Sequence, residues 1–259
     1  MELLFDHSFG RQEKQDLVIC RPYCLADRDE EPHLLDTGWL ALDTPMKPHK
    51  EVWYQSRSTR VQISKNKPRF KEHTIDGNRL NMMHIKPKTP DDTMWTGMHE
   101  IYKDYIKRKG FRDMYSPFQQ IQPRDSFLVY YLGDKPNKLI GFTKIKQYYH
   151  EEQDMTGPLL FPDQEEGDMI TYSVGVESVM HCNLIPIGQI TMDMEIQWAR
   201  EQKTAYFYMG SGYENGSQYK AHWPGFQWWT GTEWSTNKRK YLKLCKTDSE
   251  LKLISDLAN

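Results

Sequence analysis

The order of hydrophobic segments between residues 126 and 209 constrains the fold of this chain more than any other feature. Ser126 to Leu132 (SFLVYYL) is dense in β-branched and aromatic residues and predicts a strand. Gly133-Asp134-Lys135-Pro136-Asn137 is turn chemistry, and Lys138 to Tyr148 predicts a second strand, so the two read as a hairpin. A third strand is expected at about Met169 to Val179. Pro186 then opens a helix in which Ile187, Ile190, Met194 and Trp198 recur at spacings of 3, 4 and 4, and Thr204 to Met209 (TAYFYM) reads as the next strand. A second apolar set on that helix, Met192, Ile196 and Ala199, means that most of its circumference is covered, which packing on a sheet achieves.

Upstream, Met94, Met98, Ile101 and Tyr105 fall at spacings of 4, 3 and 4 and predict a helix over residues 91–109. Thr89 and Pro90 suit its N-cap and first position, and Gly110 stops it. With 259 residues, 38% hydrophobic and 13% aromatic, the chain has material for a packed interior, which excludes wholesale disorder. The reading is α+β: a mixed-sheet core flanked by helices over residues 89–259, behind a smaller basic module over residues 1–88. Pro87 and Pro90 place that boundary.

Lys plus Arg number 34 and Asp plus Glu 36, so overall charge announces no nucleic-acid partner. The distribution is uneven, however. From Lys47 to Lys88 there are eleven basic residues against three acids, and from Gln147 to Ala199 there are ten acids and no Lys or Arg. A further basic cluster, Lys238, Arg239, Lys240, Lys243 and Lys246, lies near the C-terminus. Evenly mixed signs are what an indifferent surface shows; segregation suits a phosphate backbone meeting the first of these segments. Residues 150–168, with seven acids, two prolines and two glycines, read as an exposed loop. No apolar run is long enough to span a membrane, and the first residues lack a basic and an apolar region, so a soluble cytoplasmic protein is expected.

P-loop, zincin and α/β-hydrolase signatures are missing, which removes the usual carriers of those chemistries. Cys20 and Cys24 flank Arg21-Pro22-Tyr23 and offer two thiolates, half of what a metal site needs, so free or buried thiols are the plainer reading and no cofactor is expected. Ten aromatics between residues 206 and 234 suit either base stacking or a satellite core.

Two segments carry a resemblance. Ser56-Arg57-Ser58-Thr59-Arg60, with Lys65 and Lys67, looks like the S-R-S-x-R segment of the aminoacyl-tRNA-protein transferases, the arginyl and leucyl transferases of the N-degron pathway. Tyr206-Phe-Tyr-Met-Gly210 followed by Tyr219-Lys220 is similar to that family's Y-x-Y-x-G and Y-K segment. Cys20-Arg-Pro-Tyr-Cys24 with Gly38-Trp39 resembles its cysteine-containing opening, although the second cysteine pair of the family has no counterpart here. The resemblance implies a GNAT-like core that moves arginine or leucine from aminoacyl-tRNA to the N-terminal amine of a protein beginning with Asp or Glu. It implies Tyr208, Tyr219 and Lys220 as catalytic. Arg57, Ser58, Arg60, Lys65, Lys67 and Gly210 would bind tRNA or substrate. Glu177, on the third strand, is added as a proton acceptor. Two alternatives stay open. An acyl-CoA N-acyltransferase would share the core, but only Gly188 of the pyrophosphate loop is present. A non-catalytic tRNA-binding adaptor would keep the basic patch.

Overall fold

Alternation of side chains along residues 139–149 sorts the molecule into layers. The computed structural model describes residues 2–6, 11–12, 15–16, 21–42, 51–86, 92–109, 116–118, 121, 124–134, 139–149, 171–183 and 187–250. In chain order the strands are β1 (Glu2–Asp6), β2 (Arg11–Gln12), β3 (Gln15–Asp16), β4 (Arg21–Ala26), β5 (Trp39–Leu42), β6 (Glu51–Gln55), β7 (Ser58–Gln62), β8 (Thr74–Ile75), β9 (Asn78–Ile85), β10 (Asp125–Leu132), β11 (Leu139–Tyr149), β12 (Thr171–His181), β13 (Tyr206–Ser211), β14 (Phe226–Trp229) and β15 (Trp234–Ser235). The helices are α1 (Glu31–Asp36), α2 (Asp92–Lys109), α3 (Ile187–Glu201) and α4 (Lys238–Glu250), and a 3-10 turn covers Asn215–His222.

Nine strands form one sheet in the order β15-β14-β7-β13-β12-β11-β10-β9-β8, and four form a smaller one, β1-β4-β6-β5. In the large sheet β12 and β13 run parallel, joined by the α3 crossover, while β10–β11 is the expected antiparallel hairpin. The sheet is therefore mixed and flanked by helices, an α+β arrangement. Along β11, Thr143 and Ile145 face α3, joining Leu128, Val174, Phe207, Ile190 and Ile196 in the largest core. Phe142 and Tyr148 face the other way. Phe142 packs with Met98 and Ile101 of α2, and Tyr148 with Trp53, Leu34 and Leu35 of the small-sheet layer. The period of 2 along a strand and the 3-4 spacing along each helix thus meet as the sequence predicts.

The small sheet is pinned by buried ion pairs as well as by apolar contact. Arg124 donates two hydrogen bonds to Glu31, at 2.5 and 2.7 Å, and Lys146 Nζ reaches Glu51 Oε1 at 2.7 Å. Such pairs add little net stability after desolvation, but an unmatched partner is costly, so they select one docking register. Gly38, at φ +78° between α1 and β5, lies directly beneath the Trp229 ring, where a Cβ would overlap the indole. Its carbonyl accepts from Ser58 Oγ at 2.5 Å, tying this turn to β7.

The expected division at residue 88 runs through the large sheet: β7, β8 and β9 precede it, and the other six strands follow it. A strand inserted between β14 and β13 has both edges paired, so the basic segment around it is woven into the core. The acidic segment 150–168, Cys20, Thr89, Pro90, Gly110 and Pro186 lie outside the described residues. Among the described residues no helix is long and apolar enough to cross a membrane.

Candidate active site

Parallel pairing between β12 and β13 lasts for three residues, Ser173–Tyr206, Val174–Phe207 and Gly175–Tyr208, and then stops. Beyond it each strand is bulged on its outer edge. Between β12 and β11, Lys144 pairs with Ser178 and Ile145 with Val176, leaving Glu177 as the extra residue. Between β13 and β7, Tyr208 pairs with Arg60 and Ser211 with Ser58, so the register slips across Met209 and Gly210. Gly210 sits at φ +76°, a conformation that glycine takes without a Cβ penalty. Bulges bend the strand that carries them and re-aim its groups. The result is a break in the ladder between the C-terminal halves of β12 and β13, a cleft in the pairing, at the end of the sheet where α3 begins.

Lys220 holds one wall. Its Nζ, buried under the 3-10 turn, donates to Met209 O at 2.6 Å and Ser211 O at 2.7 Å, which are the carbonyls on either side of Gly210. Among the described residues no carboxylate pairs with it, and burial lowers its pKa to about 8. Two of its three N–H groups are committed to these carbonyls, and the third has no hydrogen-bond partner among the described residues. Tyr219 packs edge-on against Trp223. Burial, reinforced by the charge of Glu195, suppresses its ionisation, so it stays a phenol.

Glu195 of α3 lies fully buried beneath the centre of the sheet. Its Oε1 accepts from Tyr130 Oη at 2.6 Å and from Thr143 Oγ1 at 2.7 Å. Its Oε2 has no hydrogen-bond partner among the described residues, and burial raises the carboxyl pKa. Thr143 pairs with Val179, on the part of β12 beyond its last contact with β13. An unpaired carboxylate oxygen in such surroundings costs several kcal/mol, roughly, unless a proton or a ligand meets it.

The other sequence-predicted residues are spread over several places. Arg60, Tyr208 and Ser58 lie on the face toward the small sheet. Arg60 is sandwiched between Tyr206 and Trp234, 3.8 and 3.9 Å from their ring centroids, and donates to Gln227 Oε1 at 2.8 Å and Tyr208 Oη at 3.0 Å. A planar guanidinium fits between two rings where an ammonium does not, so Arg60→Lys is expected to cost about 1–2 kcal/mol in thermal or urea denaturation. Arg57 makes a bidentate pair with Asp248 of α4, and its backbone N–H donates to Tyr213 Oη at 2.9 Å. It also reaches Gly212 O at 3.4 Å, next to the Ser211 carbonyl that Lys220 holds, so Arg57 and Lys220 share one short segment. Lys65 and Lys67 stand exposed outside the cleft. Glu177 is placed at the bulge by its register alone. Cys24 is buried, with its thiol pKa raised to about 11 by burial and by Glu30, and Cys20 lies outside the described residues. Among the described residues no cluster of three or more His, Cys, Asp or Glu is arranged for a metal.

Glu195, Tyr130, Thr143 and the pair His73–Asp193 escape the sequence reading. Asp193 is buried and binds His73 Nε2 at 3.0 Å, at the wall of a cavity of about 630 Å³ between α3 and the β8–β9 hairpin. A signal existed: two acids at positions 193 and 195, inside a helix otherwise apolar on most sides, demand buried partners.

No protein-family model matches the chain, and no curated protein matches it. Solved structures do align with it. L-PGS from Bacillus licheniformis aligns at 13% identity and TM-score 0.42, over 71% of this chain and 50% of that one. The C-terminal domain (DUF2156) of a putative lysylphosphatidylglycerol synthetase from Agrobacterium fabrum aligns at 12% identity and TM-score 0.40, over 71% and 51%. The chain thus spans about half the length of these structures. Membership in the arginyl and leucyl aminoacyl-tRNA-protein transferases, implied by the Ser56 to Arg60 and Tyr206 to Lys220 segments, is corrected by these findings. The physical reason is visible in β7: Ser58, Thr59 and Arg60 are 0%, 0% and 5% exposed, so the segment answers the packing demands of a central strand.

Proposed function

We propose that this chain is an aminoacyltransferase of GNAT-like architecture that takes an aminoacyl ester from tRNA and passes it to an acceptor nucleophile in the cleft between β12 and β13. The observation that carries this reading is the cleft itself, a parallel pair that parts at two bulges, with the free N–H of Lys220 at one wall and the buried carboxylate of Glu195 beneath. Ester transfer needs no covalent enzyme nucleophile. The acceptor hydroxyl or amine adds to the ester carbonyl, the bond to the terminal ribose oxygen breaks, and the acceptor's proton ends on the departing ribose hydroxyl. Lys220 donates to the tetrahedral oxyanion. Glu195, its basicity raised by burial, receives the proton and returns it, and Tyr219 as a neutral phenol orients the nucleophile. Placement of both reactants in one dry cleft supplies the remainder of the rate.

The test is loss of label from charged tRNA, with phosphatidylglycerol vesicles or hydroxylamine as acceptor. Wild-type protein is expected to speed acceptor-dependent transfer, and Glu195→Gln to lower kcat by about 10²-fold or more with KM nearly unchanged. Wild-type protein that accelerates neither acceptor's reaction overturns the reading. Acylation of the same nucleophile from acetyl-CoA, without use of tRNA, moves the donor to an acyl-CoA.

A further inference from the structure

Two basic stretches far apart in the chain meet on one surface. Lys65, Lys67, Arg69 and Lys71 follow β7 and are exposed, and so are Lys238, Arg239 and Lys240 at the start of α4. Residues 222–225 join them. Asn66 Nδ2 donates to Pro224 O at 3.1 Å, and Lys65 Cβ lies 3.3 Å from where a Cβ of Gly225 would be. The Arg69 guanidinium lies over the Trp223 ring at 4.9 Å, and Lys238 Nζ reaches the Trp223 carbonyl at 3.4 Å. His222 is exposed among them. Burial, Arg69 and Lys238 all disfavour its protonated form, and burial and Arg69 do the same to Lys238.

Several cations elsewhere in the protein are neutralised locally, and, among the described residues, these are not. Arg57, Arg60, Arg108, Arg124, Lys144 and Lys146 each have a carboxylate partner. None of the seven exposed cations takes part in an ion pair among the described residues. Like charges held together against their own repulsion are a site for an anion. Pro68 is the one exposed apolar residue in residues 64–71 and 236–240, so the surface lacks the side chains that insert into a bilayer, and guanidinium and ammonium groups in a row match phosphodiesters.

We propose that Lys65, Lys67, Arg69, Lys238 and Arg239 form a composite surface that docks the phosphate backbone of RNA, and that, given a tRNA-borne donor as proposed above, it holds the tRNA beside the cleft. Lys220 and His222 stand two residues apart on one 3-10 turn, the first turned in to the β13 bulge and the second out to this surface. The turn is the shared wall between docking and chemistry.

Anisotropy of fluorescein-labelled deacylated tRNA, read over a range of salt, tests this without any transfer step. Arg69→Ala/Lys238→Ala and Lys65→Ala/Lys67→Ala are each expected to weaken binding about tenfold and to lower the slope of log affinity against log salt by about 1–2. Lys103→Ala/Lys107→Ala, on α2 against the other face of the sheet, removes the same charge and is expected to change binding less than about twofold. Circular dichroism confirms that each variant is folded. Equal loss in the α2 variant, or no salt-dependent binding by the wild type, overturns the proposal. So does a wild type that binds phosphatidylglycerol vesicles through these residues while tRNA binding ignores them. Loss of tRNA binding in a protein inactive in transfer leaves the surface standing and removes the donor reading. Unchanged binding in a protein active in transfer removes the surface alone.

Discussion

The stability advantage of the wild-type protein over Lys220→Met is expected to grow, by on the order of 3 kcal/mol, as pH rises through the interval between the lysine's two pKa values. Lys220 titrates near 10.5 when unfolded and at about 8 in the folded protein, where burial disfavours the ammonium. Between these values the unfolded chain keeps a proton that the folded protein has released. The unfolded state binds more protons there, so unfolding free energy rises with pH. The contribution is fully present above 10.5 and is lost as pH falls through 8. Tyr219 and Tyr241, whose ionisation burial suppresses, act in the opposite sense at high pH, but they are common to both proteins and cancel in the difference. Urea denaturation of the pair across this interval reads the effect, and a difference that stays flat would show that the ammonium is solvated. In the proposed transfer the same variant is expected to lose about 10²-fold in kcat, the usual loss for one oxyanion donor. Activity retained at the wild-type level would reduce Lys220 to a clamp on the Gly210 bulge.

Much of the architecture was legible because it rests on local periodicity. The apolar spacing of Met94, Met98 and Ile101 locates α2, which starts one residue from its expected place, and the alternation after Ser126 locates the β10–β11 hairpin. The expected helix after Pro186 is α3. What periodicity cannot reach is strand order. Nothing local in Ser58 to Gln62 says that it pairs with β13 and β14, residues far ahead in the chain, and a basic segment read by charge alone looks like a separate module. The same limit governs the site. Tyr219 and Lys220 stand out as neighbours in sequence, whereas the link from Glu195 to Tyr130 and Thr143 exists only once three elements are stacked. The surface made by Arg69 and Lys238 is likewise a product of topology, since each basic run taken alone is an ordinary solvated stretch.

Asp193 is where fold and docking surface depend on one side chain, and Asp193→Ala is expected to cost about 4 kcal/mol. Its carboxylate accepts from the backbone N–H of Arg69 at 2.9 Å and of Phe70 at 3.4 Å, from Gln197 Nε2 at 2.8 Å, and from Trp223 Nε1 at 3.2 Å. His73 Nε2 completes the set at 3.0 Å. Burial by itself would raise this pKa, but the donors, His73 first among them, outweigh it and hold the group below its ordinary 3.8. The stability that this provides is present above 3.8 and is lost as pH falls through the lower folded value. Unfolding free energy read by urea denaturation should therefore fall less steeply below pH 3.8 in Asp193→Asn than in the wild type, because the Asp193 share is missing, with a cost at neutral pH of about 2 kcal/mol where the amide turns an N–H toward donors. The alanine variant also frees the segment that carries Arg69 and Lys71 from α3 without deleting a cation. Its affinity for tRNA is expected to fall about tenfold while the salt slope stays at the wild-type value, because the number of phosphates neutralised is unchanged and only the ordering of the loop has been lost. A slope that falls along with the affinity would mean instead that the loop's cations no longer reach the RNA at all, and a tRNA affinity equal to wild type would show that Asp193 serves the core alone.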